Sequence, residues 1–306
     1  MNLLSVTDLS KKEILTLIEE ARKIKKKPLH YSDKLKNKTL LLFFELPSLR
    51  TRLSFETAIH QLGGHAIFYK TDPNMWKLKE SVSDSAKNIS LFCDIVTLRL
   101  ANHQDIEEFA HNASIPVINA LTNMYHPCQI LSDMLTIVEH KNRLEGLKLA
   151  YIGDSNNNIT HSLLLCCSMF GIDISVACPK DSKYSPKKEI VAKAKGYSKA
   201  SKNKIKITAD PSEAVKDADI IYTDSWMSYV IPKSEQKKRE KILGKYQVNN
   251  KLMALAKKDA VFMHCLPAVR GKEVTAEVID GKQSVVFPQA ENRLHMQKAI
   301  LLKLLK

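Results

Sequence analysis

Short apolar runs of strand type alternate with amphipathic helical stretches along most of this 306-residue chain. Such alternation predicts parallel sheets with right-handed crossovers and with helices on the sheet faces. The predicted strands are 39–45, 65–69, 93–98, 115–118, 147–152, 173–177, 204–208, 219–223 and 260–263. A long helical pattern at 130–142 separates the first four strands from the last five. The sequence therefore predicts an α/β fold with two domains, each a parallel β-sheet flanked by helices, joined by long helices.

The helical stretches are defined by their apolar periodicity and by residues that favour helix ends. The first covers 11–27, and Ser10 is its predicted N-cap. The other predicted helices are 51–62, 80–91, 104–112, 159–170, 185–197, 211–216, 249–257 and 290–306. Their lengths and spacing fit crossover connections between parallel strands.

Polar residues follow six of the predicted strands. In parallel α/β sheets ligands bind beyond the carboxyl ends of the strands, so functional side chains are expected there. The six segments are 48–52, 99, 126–129, 153–158, 224–228 and 264–267. Each has an ordinary structural alternative when taken alone: Ser48 as an N-cap, His126 as a core histidine, 156–158 as a turn and Cys265 as a small apolar residue.

The same residues sort by chemistry into two sets. The first half of the chain supplies cations and hydroxyls, which suit a phosphate and a polarised carbonyl because arginine binds oxyanions with two parallel hydrogen bonds. The second half supplies acceptors, which suit an amine or a zwitterionic amino acid. The first set consists of Ser48, Arg50, Thr51, Arg99 and His126. The second set consists of Asn158, Asp224 and Ser228. Together they predict transfer of an acyl-type group from an acyl phosphate to an amine.

The net charge of +14 does not by itself predict nucleic-acid binding. The lysines are spread along the chain, and the densest basic runs, 25–27 and 237–239, lack interleaved aromatic residues. Both runs are predicted to be solvated surface, whose positive potential favours small anionic substrates. No nucleic-acid partner is expected.

Cysteine usage and hydropathy bear on the compartment. The six cysteines, at 93, 128, 166, 167, 178 and 265, form no CxxC pair and no zinc-type spacing. Reduced thiols of a cytoplasmic protein without a metal are therefore expected. The first residues read as a helix start rather than a signal peptide, and no apolar run has the length of a membrane span.

Four motifs resemble those of the aspartate/ornithine carbamoyltransferase family, in the family's order and over essentially the whole chain. They are SLRTRLSFE (48–56), HPCQ (126–129), HCLPAVRGKEVTAEVIDG (264–281) and AENRLHMQKAI (290–300). HPCQ, GDSNNN (153–158) and TDSW (223–226) are similar to the ornithine branch. The resemblance implies transfer of the carbamoyl group of carbamoyl phosphate to the side-chain amine of L-ornithine, giving L-citrulline and phosphate. It also implies no cofactor and homotrimers whose active sites are shared between subunits.

The resemblance implies a role for each matching residue. Ser48, Arg50 and Thr51 would hold the phosphate at a helix start, and Arg99 and His126 would polarise the carbonyl. Gln129, Cys265, Leu266 and Arg293 would complete the carbamoyl phosphate site, and Arg50, Arg99, His126 and Cys265 form the expected catalytic group. Asn158, Asp224, Ser228 and Tyr229 would bind ornithine. The expected domains are 1–133 for carbamoyl phosphate, with helix 289–306 packed back onto it, and 134–288 for the amino acid.

Three positions depart from the ornithine-branch pattern. Leu49 replaces a threonine of S-T-R-T-R, Met75 stands where a loop glutamine is usual, and Ser228-Tyr229-Val230 replaces S-M-G. The first two departures resemble the N-acetylornithine and N-succinylornithine carbamoyltransferases, which carry a tryptophan in that loop. We therefore expect Trp76 to reach the adjacent subunit's phosphate site beside Leu49, with both residues forming part of the carbamoyl phosphate site. The alternative is that Trp76 anchors the loop within its own subunit.

The amine acceptor has alternatives. The acyl-ornithine enzymes have a proline-rich loop in place of 156–158 and lack the D-x-W-x-S pattern, which favours free ornithine here. Lysine and putrescine stay open because a pocket discriminates one methylene weakly. A catalytically inactive family member is also an alternative, although the retained polar residues argue against it. Outside the site, Arg52 is expected to pair with Glu80.

Overall fold

The computed structural model describes residues 1–72, 76–227 and 231–305, and of Trp76 it describes the backbone only. Within this part the chain divides into two compact units, residues 1–135 with 291–306 and residues 136–290. Each unit contains one parallel sheet, of four strands in the first and five in the second. The predicted α/β class with two parallel sheets is confirmed.

The first unit has the strand order β2-β1-β3-β4. Its strands are β1 (Thr39–Phe44), β2 (His65–Lys70), β3 (Ile95–Arg99) and β4 (Val117–Leu121). β1 and β3 are almost wholly buried because both have neighbours on either side and apolar side chains on both faces. β2 lies at the edge, and its side chains are mostly exposed or half-buried.

Helices of the first unit follow the predicted order. They are α1 (Lys11–Lys26), α2 (Leu49–Gln61), α3 (Trp76–Lys79), α4 (Val82–Phe92) and α5 (His103–Asn112). Ser10 caps α1 as predicted: its hydroxyl accepts from the Glu13 N–H, and the Glu13 side chain accepts from the Ser10 N–H. Val82 and Ala86 of α4 and Phe109 of α5 pack in one apolar cluster with β1, β3 and β4.

Two long helices contain the points at which the chain passes from one unit to the other. These are α6 (Pro127–Lys141) and α13 (Val286–Leu304). Between them the second unit has the helices α7 (Asn158–Phe170), α8 (Lys188–Ser201), α9 (Pro211–Val215), α10 (Gln236–Leu243), α11 (Asn250–Met253) and α12 (Ala276–Ile279).

The second unit has the strand order β7-β6-β5-β8-β9, and every pairing is parallel. Its strands are β5 (Lys148–Ile152), β6 (Asp173–Ala177), β7 (Ile205–Thr208), β8 (Ile220–Thr223) and β9 (Val261–Met263). The order reverses at β5, which pairs with β6 on one side and β8 on the other. Crevices at such a switch point commonly bind ligands, so the segments after β5 and β8 are the natural place for a substrate.

The largest differences from the sequence prediction concern four helices. α11 covers only Asn250–Met253 where 249–257 was expected, because the chain turns after Met253 to reach β9. The sequence pattern did not predict α3, α10 or α12. α10 has few apolar positions, and Leu243 and Arg239 are its buried residues. Within the described residues, no helix combines the length and the apolar character needed to cross a membrane.

Candidate active site

The corner between β1 and α2 is capped by Ser48. Its backbone is extended, and its hydroxyl accepts a 3.2 Å hydrogen bond from the Thr51 N–H. Arg50 is half-buried, and its guanidinium has no ion-pair partner among the described residues. Leu49 points outward with 69% of its surface exposed. A helix N-terminus with a nearby unpaired arginine is suited to bind an anion.

Arg52 belongs to the scaffold beside this corner. Its Nε donates to Glu56 at 2.8 Å, and its guanidinium lies 3.8 Å from the centroid of the Phe68 ring. The predicted pairing with Glu80 is wrong, because Glu56 lies one helical turn away on the same face of α2. Glu80 instead accepts hydrogen bonds from Ser85 and Asn88.

Arg293 of α13 connects two of the predicted site residues. Its Nη1 donates to Oε1 of Gln129 at 2.7 Å, and its Nη2 lies 3.3 Å from Oγ1 of Thr51. Gln129 in turn donates from Nε2 to Asp133 at 2.8 Å. All four side chains are buried. Gln129 therefore fixes the Arg293 guanidinium, and its place in the carbamoyl phosphate site stays a prediction.

Arg99 lies at the end of β3, where the pairing with β4 shifts register between Leu98 and Arg99. Such an irregularity turns a side chain away from the regular strand direction. Arg99 Nε donates to the Leu46 carbonyl at 3.2 Å, and the Arg99 carbonyl accepts from the Glu45 N–H at 2.9 Å. The register shift and these two contacts give Arg99 a defined orientation.

His126 immediately precedes α6 and is 5% exposed. Burial, together with the positive charges of Arg293 and Arg99, holds the pKa of His126 well below its usual 6.5. The imidazole is therefore neutral at physiological pH and keeps one N–H as a hydrogen-bond donor. The structure thus brings Thr51, Arg99, His126, Gln129 and Arg293 into one cluster in the first unit.

Asp224 and Cys265 form the centre of the second cluster, in the unit of residues 136–290. The Cys265 Sγ lies 3.1 Å from Oδ1 of Asp224, and the same oxygen accepts from the Ser225 N–H at 2.8 Å. Burial raises the pKa of Asp224, and the nearby His264 and the Cys265 hydrogen bond oppose that rise. The pair presents a carboxylate and a thiol, which are groups that can hold an amine.

His264 and Glu273 support the segment that carries Cys265 and Leu266. His264 Nδ1 accepts from the Leu266 N–H at 2.8 Å, and Glu273 Oε1 accepts from the Val269 N–H at 2.7 Å. His264 Nε2 lies 3.5 Å from the Glu273 carboxylate, and both residues are fully buried. Leu266 has φ +57°, a left-handed conformation that these hydrogen bonds help to hold.

The donor atoms of Asp224, His264 and Cys265 lie within 4.8 Å of one another, a spacing compatible with a metal ion. His264 already faces the Leu266 N–H with one ring nitrogen and Glu273 with the other. A metal would have to displace one of these contacts, so the geometry favours a hydrogen-bonded network. The absence of a metal or cofactor stays a prediction.

The remaining predicted site residues are placed as follows. Asn158 is the first residue of α7 and is half-buried, and the preceding Asn157 caps that helix through a 2.8 Å hydrogen bond from the Thr160 N–H. Ser228 and Tyr229, predicted to bind the amino acid, lie outside the described residues, as do Met75 and the side chain of Trp76.

Two buried charged residues near these clusters were not predicted as functional. Glu45, 8% exposed, follows β1, and its carboxylate accepts from the Ala101 N–H beyond Arg99. Arg239 belongs to the basic run predicted to be solvated, yet it is 3% exposed and pairs with Asp154. The sequence signal for Glu45 is an acid at the end of the predicted strand 39–45. No sequence signal separates Arg239 from Lys237 and Lys238.

Comparison with known proteins covers both halves of the chain. Residues 1–139 match the family model described as aspartate/ornithine carbamoyltransferase, carbamoyl-P binding domain, and residues 145–304 match the Asp/Orn binding domain of the same family. These matches define an α/β transferase with one domain of each kind.

Individual relatives agree over the full length. An ornithine carbamoyltransferase from Methanosarcina mazei is 47% identical over 310 residues, covering 100% of this chain and 99% of the relative. One from Picrophilus torridus is 48% identical over 305 residues, covering 99% of each. The solved structure of the Pyrococcus furiosus ornithine carbamoyltransferase has a TM-score of 0.92 at 42% identity, covering 98% of this chain and 95% of that one. The chain belongs to the aspartate/ornithine carbamoyltransferase family, which confirms the resemblance found in its motifs.

Proposed function

We propose that the protein transfers the carbamoyl group of carbamoyl phosphate to the side-chain amine of L-ornithine, giving L-citrulline and phosphate. The observation that carries the proposal is the buried cluster of Arg99, His126 and Arg293, in a chain whose halves match a carbamoyl-P binding and an Asp/Orn binding domain. On this basis we assign residues 1–133, with the helix 289–306, to carbamoyl phosphate and residues 134–288 to ornithine.

The start of α2 suits the phosphate group. Its first backbone N–H groups have no partners within the helix and carry a partial positive charge. Arg50 adds a full charge, and Ser48 and Thr51 add hydroxyls at the same corner. This arrangement binds the dianion of carbamoyl phosphate and stabilises phosphate as it leaves.

Arg99 and His126 suit the carbonyl oxygen of the carbamoyl group. As the amine attacks, a C–N bond forms and negative charge develops on that oxygen, which cationic and N–H donors stabilise. A neutral His126 donates its N–H without giving up the proton, consistent with its lowered pKa. Removing one donor of this kind typically costs about 10²–10³-fold in kcat.

Asp224 and Cys265 suit the amine. An alkylammonium has a pKa of about 10, so ornithine must lose a proton before it attacks. Asp224 holds the amine by charge, and Cys265 fixes the carboxylate through the 3.1 Å contact. The first proton leaves before attack, and the nitrogen carries a second excess proton once its bond to the carbonyl carbon has formed. When the bond between the carbonyl carbon and the phosphate oxygen breaks, the departing phosphate can accept that second proton, so that positioning of the two substrates dominates.

We further propose a homotrimer with active sites shared between subunits. Support comes from Leu49 and Leu53, which lie one turn apart on α2 with 69% and 53% of their surfaces exposed, and from Ile67 and Tyr69, exposed on the edge strand β2. A neighbouring copy that covers Leu49 would stand beside the phosphate corner. Trp76→Ala is then expected to raise the KM for carbamoyl phosphate, and an unchanged KM would contradict a role for Trp76 there.

A cytoplasmic location is proposed from the state of the cysteines. All six cysteines are free thiols, as expected in a reducing compartment, and adjacent Cys166 and Cys167 are both buried. No nucleic-acid partner is proposed. Retention of the protein on DNA at low salt, lost as salt rises, would contradict that expectation.

A colorimetric assay for the ureido product tests the acceptor. Carbamoyl phosphate is supplied with ornithine, N-acetylornithine, N-succinylornithine, lysine or putrescine, and turnover is expected with ornithine. Turnover only with an acylated ornithine would show that free ornithine is not the acceptor, while the assignment of carbamoyl phosphate as the donor would stand. No turnover with any amine would contradict the enzyme assignment and favour a catalytically inactive family member.

A further inference from the structure

Arg239 is a buried cation held by two segments of the second unit. Its Nη2 donates to Oδ2 of Asp154, and its Nε donates to the Trp226 carbonyl at 2.7 Å. Arg239 is 3% exposed, Asp154 is 7% exposed and Trp226 is 4% exposed. The guanidinium also lies 5.1 Å from the centroid of the Tyr184 ring. Buried charges of this kind are stable when paired and fully hydrogen-bonded.

The two partners of Arg239 follow neighbouring strands. Asp154 follows β5, and Trp226 follows β8, which pairs with β5 at the point where the strand order reverses. The Trp226 indole also packs over Gly153, whose φ is +127°: a Cβ added there would lie 3.4 Å from the indole Nε1. Arg239 and Gly153 therefore hold the backbone of Trp226 against the turn after β5, two residues beyond Asp224.

Asp154 and Asp224 are close enough to affect each other. Burial is the largest cause of the raised pKa of Asp154; Arg239 opposes the rise, and the negative charge of Asp224 adds to it. Burial also raises the pKa of Tyr151, and the charges of Asp224 and Asp154 add to that rise. The Asp154 charge has a direct partner in Arg239. Asp224 has hydrogen-bond donors in Cys265 and Ser225.

We propose that Arg239 is a positioning and charge-compensating residue of the amino-acid site. It connects Trp226 to Asp154 and neutralises the charge of Asp154. The negative charge offered to the amino acid is then that of Asp224 alone, not that of both carboxylates. The inference rests on the proposed ornithine acceptor. A single lysine nitrogen at this position cannot contact both partners in the way the planar guanidinium does.

The effect on the reaction has a definite sign. A bound alkylammonium must lose its proton before attack, and uncompensated negative charge nearby stabilises the protonated form. Loss of the Arg239 charge therefore moves the acid limb of kcat, which reports groups in the enzyme–substrate complex, to higher pH. Loss of the Trp226 contact lets the Asp224 segment shift, which weakens ornithine binding and leaves the other unit's carbamoyl phosphate site as it was.

The test compares Arg239→Met, Arg239→Lys, Asp154→Asn and the double variant Arg239→Met/Asp154→Asn with the wild type. Lys238→Met is the matched control, because Lys238 is the exposed neighbour of Arg239 on α10. For each protein the KM for ornithine, the KM for carbamoyl phosphate, the pH dependence of kcat at saturating substrates and the Tm are measured.

Arg239→Met is expected to raise the KM for ornithine about tenfold or more, with the KM for carbamoyl phosphate within about twofold, and to shift the acid limb to higher pH. Arg239→Lys should keep the wild-type pH profile with an intermediate KM. The double variant should recover the pH profile but not the KM, since Trp226 still lacks its partner. Lys238→Met should behave as wild type.

Two outcomes overturn the proposal. The first is an Arg239→Met variant with the wild-type pH profile, a lowered Tm, and KM values for both substrates that rise together. That result would mean that the ion pair has only a structural role. The second is an Arg239→Lys variant, folded by its Tm, that matches wild type in every constant. Failure of the proposed function is distinguishable, because the wild-type protein itself would then form no citrulline from ornithine.

Discussion

Arg293 Nη1 donates a 2.7 Å hydrogen bond to Oε1 of Gln129, which joins the last helix of the chain to the first turn of α6 within one unit. Both side chains are buried. The bond is charge-assisted, and Gln129 is held in turn by Asp133. Arg293 is therefore presented to the candidate phosphate site in one orientation, with Thr51 as its second contact.

Removal of the Gln129 amide tests this arrangement. Gln129→Ala leaves a buried guanidinium with one of its hydrogen bonds unmade, which costs about 1.5–3 kcal/mol. We expect a lower Tm and a KM for carbamoyl phosphate raised about tenfold, with the KM for ornithine little changed. Gln61→Ala, at an exposed position of α2, is the control. A Gln129→Ala enzyme with normal carbamoyl phosphate kinetics would show that Gln129 does not position Arg293.

Glu45 is expected to support Arg99 through the backbone. Its carboxylate accepts the Ala101 N–H two residues beyond Arg99, at the register shift of β3. Glu45→Ala leaves that N–H without its partner and should raise the KM for carbamoyl phosphate and lower the free energy of unfolding by about 1–3 kcal/mol.

Two further variants sharpen the Glu45 experiment. Glu45→Gln keeps an acceptor oxygen and should recover most of both properties. Glu108→Ala, exposed on α5, is the control for loss of an acid. If Glu45→Ala and Glu108→Ala behave alike, Glu45 does not support the position of Arg99.

His126 makes stability depend on pH. Because its pKa is well below 6.5 in the folded protein, the unfolded chain binds more protons there once the pH falls below about 6.5. The free energy of unfolding is therefore expected to fall as the pH drops from 7 towards 5. Denaturant titrations should show a smaller loss in His126→Asn. His111→Asn, at the exposed end of α5, should keep the wild-type dependence.

Exposed leucines on α2 test the proposed assembly. Sedimentation is expected to give three times the 34.6 kDa mass of one chain. Leu49→Glu/Leu53→Glu places two charges on the exposed apolar face and should dissociate the trimer with a large loss of activity. Leu29→Glu, at a position 86% exposed, is the control. A trimer that survives the double substitution would place the interface elsewhere.

Local patterns in the sequence predicted the strands and the residues that follow them, because buried parallel strands are short apolar runs and each one ends at the same edge of its sheet. Pairings between distant residues were not predictable in this way. Gln129 and Arg293 are 164 positions apart, and Arg239 and Asp154 are 85 apart. Lys237, Lys238 and Arg239 look alike in sequence, and only the packing of α10 buries the arginine.

The charge of Asp224 is expected to lower the stability of the fold at neutral pH and to be needed for activity. Burial raises its pKa, so the folded protein binds more protons there than the unfolded chain, and the free energy of unfolding falls as the pH rises above about 3.8. At neutral pH the charge is therefore destabilising, and Asp224→Asn, which keeps acceptors for Ser225 and Cys265, should raise the Tm. The same variant loses the charge proposed to hold the amine, so kcat/KM for ornithine should fall at least about 100-fold, or ~2.7 kcal/mol. Asp181→Asn, at an exposed position, should change neither quantity. A less stable Asp224→Asn protein would mean that the carboxylate has a structural partner, and retained activity would mean that Asp224 does not hold the amine.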